Sequence, residues 1–220
     1  MFENLLVIFD MDGVLSDTAE AHYESWKMLA NKIGAEFDRE FFENTFGQQS
    51  VPITRKLVGE GLSETKIKEW ADLKEKYYRK IVKEKLEPLP GVMSLLNELK
   101  EKGFKLAVGS SGPPENVELL LKSLGIKHYF DTILTAANVT ESKPAPDVFL
   151  KAVENLNLDS ENCLVIEDAP VGIEAAKRAN MKVIALTSTH PKEELTKADL
   201  VLSDLKKLNS KKILNLIKNK

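Results

Sequence analysis

The chain has 220 residues, 43% of them apolar, which is enough for one sizeable core or a core with a smaller satellite unit. Its net charge of -3 gives no bulk attraction for nucleic acid or an anionic membrane surface. The single cysteine, Cys163, excludes an internal disulfide and a cysteine-based zinc site.

The N-terminus reads Met-Phe-Glu-Asn, without a basic stretch or cleavage signal, and no apolar run approaches the roughly 20 residues of a membrane span. A soluble, cytoplasmic protein is expected. Residues 5–9, Leu-Leu-Val-Ile-Phe, form a continuous apolar run that predicts a strand buried on both faces of a parallel sheet. About seventy residues of helical character follow. Ala19, Tyr23, Trp26, Leu29, Ala30 and Ile33 fall at helical spacing, then come Phe41, Phe42 and Phe46, and then Ile67, Trp70, Leu73, Tyr77 and Ile81. This segment reads as a small helical domain inserted at a strand end. Its hinges are placed at Ser16-Asp17-Thr18, which also offers a helix N-cap, and at the turn-forming Glu87-Pro88-Leu89-Pro90-Gly91.

From there strands and helices alternate. Strands are predicted at Lys105–Gly109, Thr132–Leu134, Cys163–Ile166, Lys182–Leu186 and Leu200–Leu202. Helices carry Val92, Leu95, Leu96 and Leu99 up to Gly103, and Val117, Leu120, Leu121 and Leu124 up to Gly125. Two more carry Val148, Phe149, Ala152, Val153 and Leu156, and Ile173, Ala176 and Ala179 after Pro170. The alternation predicts a doubly wound, parallel-sheet (Rossmann-like) α/β core, with residues 1–16 and 85–220 in the core and 17–84 in the helical insert. Cys163 lies in an apolar run and reads as a buried small hydrophobe. Lys211, Lys212, Lys218 and Lys220, spaced with Ile213, Leu214, Leu216 and Ile217, read as the solvated face of a terminal helix rather than a basic arm.

Four polar motifs stand at predicted strand ends, which share one edge in an open parallel sheet and bind ligands there. Asp10-Met11-Asp12-Gly13 places two carboxylates beside a buried strand, costly unless a cation joins them. The same residues also make ordinary turns, but Val14 breaks a calcium-loop pattern. Ser110, with Ser111 and Gly112, offers a hydroxyl and backbone N–H groups to a phosphoryl oxygen, or else a helix cap. In Ser142-Lys143-Pro144-Ala145-Pro146-Asp147 the prolines hold Lys143 extended and in place, where otherwise it is a surface lysine. Glu167-Asp168 supplies two acids that, facing Asp10 and Asp12, complete an all-oxygen site suited to magnesium; alone they read as solvated capping acids. Each motif has a structural explanation by itself. Four in order on one sheet edge point to a site.

With these residues the chain resembles the haloacid dehalogenase-like hydrolase superfamily over essentially its whole length, and within it the β-phosphoglucomutase-like and phosphoglycolate-phosphatase-like branch. The segment Asp10–Val14 looks like the first family motif, Ser110 the second, Lys143 the third and Glu167-Asp168 the fourth; residues 17–84 resemble the cap. The resemblance implies Asp10 as nucleophile, Asp12 as general acid/base, and Mg²⁺ bound by Asp10, the Asp12 carbonyl and Asp168, with Glu167 beside them. It also implies a Mg²⁺-dependent phosphatase acting on a small phosphorylated metabolite, a sugar phosphate or similar, through an aspartyl phosphate, with no obligate protein partner. Cap residues expected to face the substrate are His22, Gln48, Gln49 and Lys74, alongside Ser111.

A phosphosugar mutase is the alternative. It calls for an arginine in the cap loop Gly47-Gln48-Gln49-Ser50, which has none; Arg55 lies a helical turn beyond. His22 and Lys74 do fall where the mutases place cap residues, although His22 also fits a helix surface or core. A receiver-like phospho-acceptor module clusters similar residues but is about half this length and lacks the insert. A purely structural or binding protein is the remaining reading.

Overall fold

The computed structural model describes residue 2 and residues 4–83 and 86–218. The expected junction between residues 84 and 85, and Lys220, lie outside these.

Six strands, β1 (Leu6–Phe9), β2 (Lys105–Gly109), β3 (Thr132–Leu134), β4 (Cys163–Glu167), β5 (Lys182–Leu186) and β6 (Leu200–Leu202), form one sheet among the described residues. The order is β3-β2-β1-β4-β5-β6, and every pair is parallel. The chain runs outward from β1 through β2 and β3, then returns to the other side of β1 for β4, β5 and β6. The order therefore reverses between β1 and β4, where such folds open a crevice at the strand C-termini. Phe9 pairs with Ile166 and with Val108, so the next residue, Asp10, emerges beside Glu167 on one flank and close to Ser110 on the other.

Alternation along β1 explains the two apolar layers. Val7 and Phe9 face α5 (Val92–Glu101), α6 (Pro114–Ser123) and α9 (Ser210–Lys218). Leu6 and Ile8 face α7 (Asp147–Leu156) and α8 (Pro170–Arg178). The fold is thus the expected doubly wound α/β sandwich. In α9, Ile213 and Ile217 are buried at i and i+4 while Lys211, Lys212 and Lys218 are exposed, as the spacing predicts. Cys163 is buried, and burial pushes its thiol pKa up to about 12. Among the described residues no helix is long and apolar enough to cross a membrane.

Between β1 and β2 come α1 (Ala19–Ile33), α2 (Arg39–Thr45), α3 (Ser50–Val58) and α4 (Glu64–Val82). They bury a separate cluster of Trp26, Leu29, Phe42 and Ile53. The chain leaves and re-enters the sheet body at one place. Ser16 bridges Pro88 in antiparallel fashion, the Ser16 hydroxyl donates to the Glu87 carbonyl at 2.8 Å, and the Leu89 N–H donates to the Leu15 carbonyl.

Two local expectations change, at Thr18 and at Glu167. Thr18 is the N-cap residue of α1, but its side chain makes no capping bond. The hydroxyl goes to the charged Asp12 carboxylate instead, a stronger acceptor interaction than a neutral cap. Glu167 is the last residue of β4 rather than a residue beyond it, because its ladder continues opposite Ala185. The Lys143–Pro144 peptide is cis.

Candidate active site

Asp10 continues the β1 ladder, its N–H donating to the Ile166 carbonyl at 2.9 Å. Its carboxylate meets Lys143 Nζ at 2.5 Å, and the same ammonium donates to Glu167 Oε1 at 2.7 Å. Lys143 is buried to 4% exposure, so the lysine is a held charge rather than a surface one. Glu167 Oε2 accepts the N–H groups of Asp168 and Ala169 at 2.8 and 2.9 Å. Both Glu167 oxygens are therefore engaged, and the residue fixes the lysine and the turn into α8. Gly172, in the first turn of that helix, lies so close that a Cβ there would overlap the Glu167 carboxylate. On the other side Thr189 donates its hydroxyl to Asp168 Oδ2, and Gly13, at φ +76°, leaves room for that same oxygen.

Oxygen atoms of Asp10, Glu167 and Asp168 all lie within 4.8 Å of one another, and all three residues are buried. Three carboxylates face a single ammonium, so the pocket lacks positive charge. Burial, opposed by Lys143 and assisted by Glu167 and Asp12, raises the Asp10 pKa to about 7. Burial and then the neighbouring Glu167 and Asp10 carboxylates raise Asp168 as well. The opposite imbalance acts on Lys143, whose pKa is raised by Asp10 and Glu167 in spite of burial. This donor set fits a hard divalent cation such as Mg²⁺, which takes oxygen ligands and would balance the excess acid. Asp10 and Asp168 have oxygens to offer; the Asp12 carboxylate lies outside the cluster.

Asp12 is instead turned toward the helical insert. Its Oδ1 accepts from Thr18 Oγ1 at 2.5 Å, His22 Nε2 at 3.2 Å and Tyr78 OH at 3.3 Å. Lys74 Nζ lies 2.7 Å from His22 Nδ1. An ammonium can only donate, so Nδ1 accepts and Nε2 carries the proton given to Asp12. Tyr78 stacks on the imidazole at 3.9 Å between centroids. Burial works to raise the Asp12 pKa, but His22, Thr18 and Lys74 outweigh it and hold it below the usual carboxylate range.

The third motif of the site is the β2 end. Ser110 is 2% exposed, and its Oγ accepts the Gly112 N–H at 3.0 Å, so that N–H is not free as the sequence suggested. Ser111 Oγ is a buried hydroxyl without a hydrogen-bond partner among the described residues. An orphaned buried hydroxyl is costly unless a ligand satisfies it.

Asp10, Asp12, Ser110 and Ser111 form the floor of a cavity of about 50 Å³ whose roof is the helical insert, including His22, Lys74 and Gln48. Gln49 is not among its lining residues; it is the residue preceding α3. Gln48 itself is tied to Lys56 through Oε1 at 2.8 Å. Four participants escaped the sequence reading: Tyr78, Glu75, Asn116 and Thr189. The α4 spacing carried a signal, since Lys74 and Tyr78, and Glu75 and Arg79, stand four residues apart on shared faces.

Comparison with known proteins agrees with this architecture. The family model for haloacid dehalogenase-like hydrolases matches residues 7–186. The chain is 35% identical over 204 residues to β-phosphoglucomutase of Bacillus subtilis, covering 89% of this chain and 88% of that protein. It is 31% identical to fructose-1-phosphate phosphatase of Escherichia coli, covering 81% and 94%. The crystal structure of β-phosphoglucomutase from Clostridium difficile superposes with a TM-score of 0.87 at 33% identity, over 99% of this chain and 97% of that one. The chain belongs to the haloacid dehalogenase-like hydrolase family.

Proposed function

We propose that this haloacid dehalogenase-like hydrolase is a phosphatase that cleaves a small phosphate monoester through an aspartyl phosphate on Asp10. The observation that carries this reading is the convergence of Asp10, Lys143 and Asp168 beside the orphaned Ser111 hydroxyl. Asp10 and Asp168 would hold Mg²⁺, with the Asp12 carbonyl in the set the family pattern implies. The ion supplies positive charge that lets a phosphate dianion approach a carboxylate.

Asp10 attacks phosphorus, the bond to the ester oxygen breaks, and the phosphoryl group passes to the Asp10 carboxylate. Lys143 orients Asp10 and offsets its charge. Ser110 and Ser111 donate to phosphoryl oxygens. Asp12 is ionised as it stands, so it takes up a proton from solvent before the cap closes, passes it to the leaving alcohol, and then removes one from the water that attacks the acyl phosphate. The His22–Lys74 pair keeps Asp12 oriented between the two steps. Residues 17–84 act as a cap over residues 1–16 and 85–220. A cavity of about 50 Å³ holds a few waters and no sugar phosphate, so the cap opens about Ser16 and Pro88 to admit substrate.

Phosphate release from a panel of small phosphate esters with Mg²⁺, repeated with Asp10→Asn, tests the reading. Unchanged hydrolysis by that variant would overturn it. The mutase alternative is supported by the His22–Lys74–Asp12 chain and by the two β-phosphoglucomutases among the relatives named, as the phosphatase is by the third. Fast formation of glucose 6-phosphate from β-glucose 1-phosphate and glucose 1,6-bisphosphate, without phosphate release, would establish it.

A further inference from the structure

We infer that Glu75 makes the cavity selective for esters whose leaving alcohol is hydroxylated and carries no second negative charge. The inference rests on the phosphatase reading and names the substrate class for the same site.

Glu75 lies on α4 in the roof of the cavity, 6% exposed. Its Oε1 accepts from Lys74 Nζ at 3.0 Å and from the Ser50 hydroxyl, and its Oε2 accepts from Asn116 Nδ2 at 2.5 Å. Ser50 and Lys74 belong to the insert, and Asn116 to the first turn of α6 in the body, so the carboxylate is seated where roof meets floor. Burial raises its pKa, but Lys74, His22, Ser50 and Asn116 outweigh burial and hold it low, so the group is an anion at neutral pH.

Among the described residues, Lys74 is the one lysine or arginine that lines the cavity; the other nearby cations lie outside its lining. Lys74 is shared between Glu75 and His22. Arg55 pairs with Glu64 at 2.6 Å on the surface, Lys56 is held by Gln48, and Arg79 donates to Asn116 Oδ1 at 2.7 Å behind the carboxylate. A leaving group ending in a phosphate or carboxylate would meet a buried anion beside a lysine, Lys74, that is already engaged with it, in surroundings where charges are weakly screened. A polyol meets different chemistry. Glu75 Oε2 keeps a second lone pair for a hydroxyl donor, and Thr45 and Gln48 line the same cavity. A site built to accept hydroxyls from its ligand rejects a ligand that offers only further acceptors.

The test compares matched esters: fructose 1-phosphate against fructose 1,6-bisphosphate, and 2-hydroxyethyl phosphate against 2-phosphoglycolate. Wild type should favour the first of each pair in kcat/KM by about tenfold to a hundredfold, and Glu75→Gln should cut that ratio by about tenfold. Taking a ratio cancels general losses in the variant. A wild-type ratio near one, or a large ratio that persists in Glu75→Gln, overturns the inference. If Glu75→Gln does not fold, the wild-type ratio decides. Binding of the four intact esters to Asp10→Asn with Mg²⁺ reads the same preference without turnover. Selective binding there, with no hydrolysis by wild type, would sink the phosphatase reading and leave the selectivity standing.

Discussion

Thr18 donates its hydroxyl to Asp12 at 2.5 Å although it begins a helix whose backbone N–H groups it stands ready to cap. A bond to an ionised acceptor contributes about 1.5–3 kcal/mol, against about 1 kcal/mol for a neutral cap. Thr18→Val should therefore lower the melting temperature by about 3–12 °C and, because Asp12 loses a group that orients it, should lower turnover as well. Losing a donor raises the Asp12 pKa, so the limb of the pH–rate profile that reports Asp12 should move to higher pH. A profile that falls in height without shifting would show that Thr18 does not act through Asp12.

Gly172→Ala should be more harmful than its size suggests. The added methyl would overlap the Glu167 carboxylate, which can give way only by releasing Lys143 or the N–H groups it holds. Overpacking of this kind costs about 1–3 kcal/mol, a fall of about 2–12 °C in melting temperature for a chain of this length. Activity should fall further than stability does. Calorimetry and phosphate-release assays on one preparation would separate the two effects.

Glu75 gives a stability difference with a defined pH direction. Its pKa is depressed in the folded protein below the ordinary 4.5, so its ionised form stabilises the fold above that pH and the contribution is lost as pH falls through and below 4.5. Glu75→Gln leaves the Lys74 ammonium buried with His22 but without its acidic partner, a loss of about 3 kcal/mol at neutral pH. The melting-temperature gap between wild type and variant should be widest near pH 7 and narrow toward pH 3. A constant gap would mean that the charge at this position does not matter.

Divalent cation should stabilise the protein through Asp10 and Asp168. Ligand at a hundred times its Kd adds about 2.7 kcal/mol, equivalent to a rise of about 5–11 °C. Asp168→Asn should abolish most of the Mg²⁺ shift in a thermal melt, and chelator should remove it from wild type. An equal shift in the variant would place the ion elsewhere.

The sheet and the strand-end motifs were legible because buried parallel strands read as apolar runs, and parallel order brings their C-termini to one edge. Asp10, Ser110, Lys143 and Glu167-Asp168 could be proposed together before any contact was known. Glu75 could not. In the run Lys74-Glu75-Lys76 it looks like any charge on a solvated helix, and only the seating of α4 over α6 buries it against Asn116. Tyr78 was hidden for the same reason, since its partner Asp12 lies 66 residues away. Gln48 lines the cavity and its neighbour Gln49 does not, a distinction between adjacent loop residues that chemistry alone does not make. Thr18 was placed correctly and given the wrong partner, because a cap is a local pattern whereas Asp12 approaches it across a turn.

The antiparallel touch of Ser16 and Pro88 also bears on how such a molecule can change over generations. Because the outgoing and returning segments meet, everything between them can be lengthened, shortened or exchanged without altering the register of a single strand. Lineages can therefore rewrite the vestibule while Asp10, Ser110, Lys143 and Asp168 stay where the sheet puts them, provided the few groups that hold Asp12 are kept.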